Sequence, residues 1–360
     1  MSHIPFVIPD EFAAGIAEGS IIRFGTLLKE ASSGQVLGHL QETGLGQKLL
    51  SGICTVPFSP LESINVTSNI YANIQLTQLK SMIASLGMMQ FVNLGAALTG
   101  IGVSVVGFSL INQKLTALER HLFDIKDRLD GHFKSMVERE TRAHYSRIQT
   151  LLNGSQLALS LTNPADVLMS AASRLAEEAG YFNGELIFML KQNGFDKELF
   201  INFTQSMVAC NSARLECLLL SNELDAAKAN ARQMGQEMSY FSHVLEPTIL
   251  TQKSLGSSWI NGGDVTSVTY RAKQQAMVNL VKGLRDATDV AQTKSFLIET
   301  LIKNDIDGRS YIQSLQDEKD CPLLILKSEP SNVPSSVPSS VPDSGPSGWR
   351  GFWGRIWQSI

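Results

Sequence analysis

The chain has 360 residues, 18% of them charged, a formal net charge of −4 and four cysteines. That length allows one large domain or two smaller ones, each with a sizeable core. The weak negative charge excludes a global pull toward nucleic acid. Cys54, Cys210, Cys217 and Cys321 contain no CxxC pair and read as buried free thiols of a reducing compartment, too dispersed for zinc.

Residues 1–60 read as a small β-containing module. The opening MSHIPFVIPDEF lacks a basic n-region followed by an apolar h-region, so no cleaved secretory signal is expected. IIRFGTLL (21–28) and QVLGHL (35–40) are strand candidates. KEASSG supplies a turn between them, with Gly34 suited to positive φ, and the pair predicts a hairpin. Two strands alone are marginal. The apolar CPLLILK at 321–327 is the candidate third strand, which would bring the two ends of the body together.

From Pro60 the pattern turns helical, with Ser63 or Thr67 as candidate caps, and no proline occurs again before Pro164. The central feature is the run 81–113, SMIASLGMMQFVNLGAALTGIGVSVVGFSLINQ. It holds no Asp, Glu, Lys, Arg or His between Lys80 and Lys114. About 20 mainly apolar residues cross a bilayer as a helix, so a span of 88–111 is expected within the 61–113 segment. Gly95, Ala96, Thr99, Gly100, Ser104 and Gly107 lie on adjoining small-residue ridges of the kind that let membrane helices pack closely, which points to self-association.

Two placements compete. In one, the helix spans permanently. Lys114, Arg120, Lys126, Arg128 and Lys134 against a single upstream Lys80 then put the C-terminal body in the cytoplasm of an inner membrane. In the other, the run is sheltered within a soluble bundle and inserts later.

Beyond Lys114, Leu115, Leu118, Leu122, Ile125 and Leu129 recur on alternating three- and four-residue steps among charged positions. That is a short heptad seam, suited to an intramolecular helix pair or a modest oligomer contact. The helical body is expected over 114–327. Asn163-Pro164 opens one helix, Gly180, Gly184 and Gly194 mark loops, a largely helical 195–245 stops at Glu246-Pro247, and 270–303 forms a further amphipathic helix.

Residues 328–348 carry a near-exact VPSS repeat and read as a disordered linker. In the tail, 349–360, Trp349, Phe352, Trp353, Ile356 and Trp357 fall on one helical face, with Arg350 and Arg355 off it. Tryptophan favours the headgroup level and arginine is drawn to an anionic leaflet, so this tail is a candidate membrane-interface helix. Docking into a protein groove is the rival reading.

No HExxH, GxSxG, Walker A or GxGxxG motif is present, and Gly44-Leu45-Gly46 lacks the third glycine of a nucleotide loop. The six histidines do not cluster in sequence. DIDG at 305–308 has Gln316 where a calcium loop closes on Glu, and reads as a turn. No catalytic residue, cofactor or metal is expected.

An apolar, glycine-rich helix continuing into a charged heptad helix, over about 65–160, resembles the plan of α-helical pore-forming toxins. The N-terminal PFVIPDEFAAGIAEGSIIRFGTLLKEASSGQVLGHLQE resembles the opening of uncharacterised bacterial proteins that carry a membrane-prone helix further on, which implies a bacterial source. The expected architecture is mainly α: a helical bundle with one long apolar transmembrane-type helix running on into an amphipathic heptad helix, and a small N-terminal β-hairpin module. The expected function is non-enzymatic, either a membrane-inserting or pore-forming effector or a membrane-tethered scaffold. The partners would be the lipid bilayer, further copies of the chain or a protein, and not nucleic acid.

Overall fold

The computed structural model describes residues 12, 14–15, 18–42, 107–126, 129, 134–135, 137–256, 267–317 and 323–327. The chain divides into two units, Met1–Ser328 and Glu329–Ile360, and every described residue belongs to the first. The proposed linker and tail therefore lie outside the described residues.

Four short strands form one antiparallel sheet in the order β1 (Ile21–Phe24), β2 (Leu27–Glu30), β3 (Val36–Glu42) and β4 (Leu323–Lys327). The stretch 21–28 does not form one strand. It folds back at Gly25-Thr26, so the expected hairpin is a three-stranded meander. Gly25 sits at φ 57°, and a Cβ there would lie 2.4 Å from the Asp289 carbonyl oxygen, so only glycine lets the turn approach so closely. The second turn has Gly34 at φ 71°, as its sequence suggests. β4 adds antiparallel to β3, with Leu40 opposite Ile325, and so joins the two ends of the body.

Eight α-helices make up the rest of the described body: α1 (Phe108–Ile125), α2 (Arg142–Ala158), α3 (Ala165–Lys191), α4 (Lys197–Leu220), α5 (Leu224–Val244), α6 (Pro247–Leu255), α7 (Ser267–Lys303) and α8 (Gly308–Asp317). A single π-helical turn, Val137–Thr141, leads into α2. The axis of the bundle is α4, buried on every side from Leu199 to Leu220 except at Arg214. A helix covered all round must bury its polar side chains too. Here Asn202, Thr204, Gln205, Ser206, Asn211, Ser212 and Glu216 are all inside. α1, α3, α5 and α8 pack on α4, α2 bridges α1 and α3, and α7 lies along α5 and α6.

Local chemistry sets the helix ends. Asp196 caps α4 by accepting the Leu199 N–H at 2.8 Å. α4 stops on Asn222, at φ 60°, where the Glu223 N–H reaches Leu218 O and the Asn222 N–H reaches Leu219 O. This left-handed cap divides the expected continuous 195–245 helix in two. α7 ends the same way: Asp305 is at φ 50° and the Ile306 N–H bonds Leu301 O. Asp307 then caps α8 through the Ser310 N–H. DIDG is thus a turn between helices, and Asp307 serves as the cap of the second. Gly180 and Gly184 do not mark loops, because both lie inside α3.

Candidate functional site

The site of interest is the root of the uncharged run, where it enters the described body. Gly107, at φ 84° and ψ 134°, precedes α1 and breaks any continuous helix at that point. The expected single helix through 88–111 into the heptad seam is therefore corrected. Phe108 and Ile111 are buried in the core of the bundle, and α1 starts afresh after Gly107. Gly107 itself faces Gln316 and Glu216 rather than a second apolar helix. Gly95, Ala96, Thr99, Gly100 and Ser104 lie outside the described residues, as do Trp349, Arg350, Phe352, Trp353, Arg355, Ile356 and Trp357 of the tail.

Glu216 is 1% exposed, and its Oε2 accepts the Gly107 N–H at 3.0 Å. Gln316 Nε2 donates to Oε1 at 3.5 Å. Burial pushes the carboxyl up to about 8, only partly offset by the Gly107 hydrogen bond, so at neutral pH the protonated form prevails. A second polar tie lies three turns on. Asn202 Nδ2 donates to Leu118 O at 2.7 Å, while Asn202 Oδ1 accepts the Tyr145 hydroxyl at 2.9 Å. Asn112 donates to Asn153 and Gln149 to Glu119, which ties α1 to α2. Between these ties Leu115, Leu118, Leu122 and Ile125 are buried in the core, and Leu129 packs partly buried against it. The described seam is an intramolecular contact.

A polar cleft of about 600 Å³ opens between α2 and α3, lined by His144, Ser146, Arg147, Thr150, Leu151, Arg174, Glu177 and Glu178. Glu178 Oε2 accepts from His144 Nδ1 at 2.5 Å, and its Oε1 accepts from Arg147 Nε at 2.8 Å. Burial works to raise the Glu178 carboxyl, but these two donors outweigh it and hold it below the ordinary range. The His144 ring stacks on Tyr181 with centroids 3.4 Å apart. His144 and Arg147 share one helical face, and Glu178 and Tyr181 share the facing one. Sequence reading missed this group because 34 residues separate the histidine from its carboxylate. The arrangement clamps α2 to α3. No group of three metal-ligating side chains occurs among the described residues.

Cys210 and Cys217 are buried and free, as expected. Burial pushes Cys217 up to about 12 and Cys210 higher still, so neither offers a thiolate nucleophile. No helix among the described residues is long and apolar enough to cross a membrane. No protein-family model, curated protein or solved structure matches the chain.

Proposed function

We propose that the helical body is a carrier for the uncharged run, which acts as a membrane-inserting element, in a non-enzymatic effector of toxin or defence type. The observation that carries this reading is the absence of any charge across 81–113, in a chain whose body seizes the end of that run at Gly107. Residues 107–113 of the run belong to its root and to α1, and the charge-free remainder, 81–106, still exceeds the roughly 20 residues that cross hydrocarbon as a helix. The small residues Gly95, Ala96, Thr99, Gly100 and Ser104 suit helix packing between copies in lipid. The tail, with Trp349, Trp353 and Trp357 beside Arg350 and Arg355, suits an anionic leaflet.

Membrane fractionation with carbonate extraction tests the span: retention in the pellet supports an integral segment, and full release removes it. Dye leakage from anionic liposomes, abolished by Gly100→Leu with binding intact, is the expected signature of self-associated inserted helices. Binding without leakage would instead assign the body to a membrane-tethered scaffold.

A further inference from the structure

The turn joining α2 to α3 exposes leucines that its own fold does not need. Ala158 and Leu168 face inward and are buried, whereas Leu157, Leu159 and Leu161 face outward at 70%, 40% and 50% exposure. The backbone is fixed, since the Ser160 N–H bonds Leu157 O and the Leu161 N–H bonds Ala158 O. The tip is therefore a shaped apolar projection. No Asp, Glu, Lys, Arg or His occurs from 148 to 165, so the tip carries no charge of its own.

Its position decides what would cover it. Glu216 of α4 holds Gly107, the root of the uncharged run. The next residue, Cys217, lies 3.7 Å from Ser155 of α2. Ser221, five residues beyond Glu216, donates to Met169 at 3.5 Å. Five residues of helix rise only about 7.5 Å. The root of the run and the leucine tip thus stand at the same end of the bundle, within about a turn and a half of one another along α4. A bilayer that takes up the run must come to this end of the body, and Leu157, Leu159 and Leu161 are the side chains it meets there.

We propose that the Leu157–Leu159–Leu161 tip of the α2–α3 turn is a second membrane-contact site, which inserts into the acyl boundary of the bilayer that receives the uncharged run. This rests on the membrane reading above. Exposed Asp166 and Glu223 stand at the same end, so the contact is apolar and not electrostatic. Its contribution is the same on zwitterionic and anionic vesicles and survives salt.

The test is flotation of the full-length protein with phosphatidylcholine vesicles, with and without phosphatidylglycerol. Three forms are compared: wild type, the triple variant Leu157→Ser, Leu159→Ser, Leu161→Ser, and Gly100→Lys with Val103→Lys in the run. A fourth form carries an environment-sensitive dye on Leu159→Cys, with Cys54 and Cys321 replaced by Ser; Cys210 and Cys217 are buried. The expected result is at least a tenfold loss of vesicle partitioning in the triple variant on both lipids, unchanged circular dichroism, and a blue shift of the dye on binding. The inference is overturned if the triple variant floats like wild type and the dye stays aqueous, while the run variant alone is lost; the membrane reading then survives by itself. If the triple variant is lost and the run variant floats normally, the tip stands and the run reading fails. If no form floats, both fail. A wild-type dimer in sedimentation that the triple variant dissociates, without any lipid effect, assigns the leucines to a second copy and overturns the proposal.

Discussion

Two buried ionisable side chains give the body opposite responses to pH. The Glu216 carboxyl rises from 4.5 to about 8 on burial, so the unfolded chain ionises first and stability falls as pH rises through that window. The loss between pH 4.5 and 7 is on the order of 3 kcal/mol. Glu216→Gln keeps an acceptor for the Gly107 N–H without the ionisation. It should melt higher than wild type at pH 8, with the gap closing by pH 5, when followed by thermal denaturation. His39 does the reverse. It is 1% exposed, lies 2.9 Å from Thr300 Oγ1, and is held down to about 4 by burial. Its contribution is whole above pH 6.5 and is lost as pH falls toward 4. His39→Gln should flatten the acid limb of the melting profile, and an unchanged limb would remove His39 as its cause. Gly180 and Gly184 are a third residue-scale case. Both are helical and exposed, with open space where a Cβ would sit. Replacing either by alanine should stabilise the protein by about 0.5–1 kcal/mol in urea titrations.

At the scale of the element, α1 is held by apolar and polar contacts together, and each has its own expected cost. Leu122→Ala opens a cavity in the core and should lose about 2–5 kcal/mol by urea unfolding. Because the described seam is satisfied within one chain, the loss should appear in stability and leave sedimentation unaltered. The α4–α5 break is a sharper case. Asn222 takes a left-handed conformation and its Oδ1 also accepts the Gly308 N–H at 2.9 Å, which joins the end of α4 to the start of α8. Asn222→Ala should cost about 1–2 kcal/mol, and Asn222→Gly less, since glycine keeps the conformation and loses only the hydrogen bond. The periodicity of α1 and α7 and the DIDG turn were legible, because local chemistry decides them; α6 was missed, because Glu246-Pro247 reads only as a stop, whereas Pro247 is the first residue of a new helix. The α4–α5 break was not legible either, since SNEL carries no glycine or proline and only the αL tolerance of Asn222 marks the stop. Gly180 and Gly184 misled for the converse reason: burial of Leu175, Phe182 and Leu186 carries the helix through its two weakest residues.

For the whole molecule, the sequence separated a helical body from a small sheet and paired the far-apart 321–327 with the N-terminal strands. It did so because alternation and apolar runs survive without knowledge of the tertiary structure. What it lacked was α4 as an axis. A helix buried on all sides has no amphipathic stripe, so its central place is invisible to periodicity. The His144–Glu178 clamp and the Glu216–Gly107 tie were equally hidden, because both join residues far apart in the chain. The proposed roles of the run and the tail make an expectation at this scale. Deleting 349–360 should remove the preference for anionic over phosphatidylcholine vesicles at physiological salt while leaving the melting temperature unchanged. An unaltered preference would show that the tail is no anchor.

The pairing of β3 with β4 also governs how the chain is made. β3 ends at Glu42 and its partner begins at Leu323, so on the ribosome the meander must wait for nearly the whole body before its fourth strand is added. Until then β3 offers a row of unpaired backbone groups to any neighbouring nascent chain. Synthesis truncated before Leu323 should therefore yield a helix-rich but aggregation-prone product.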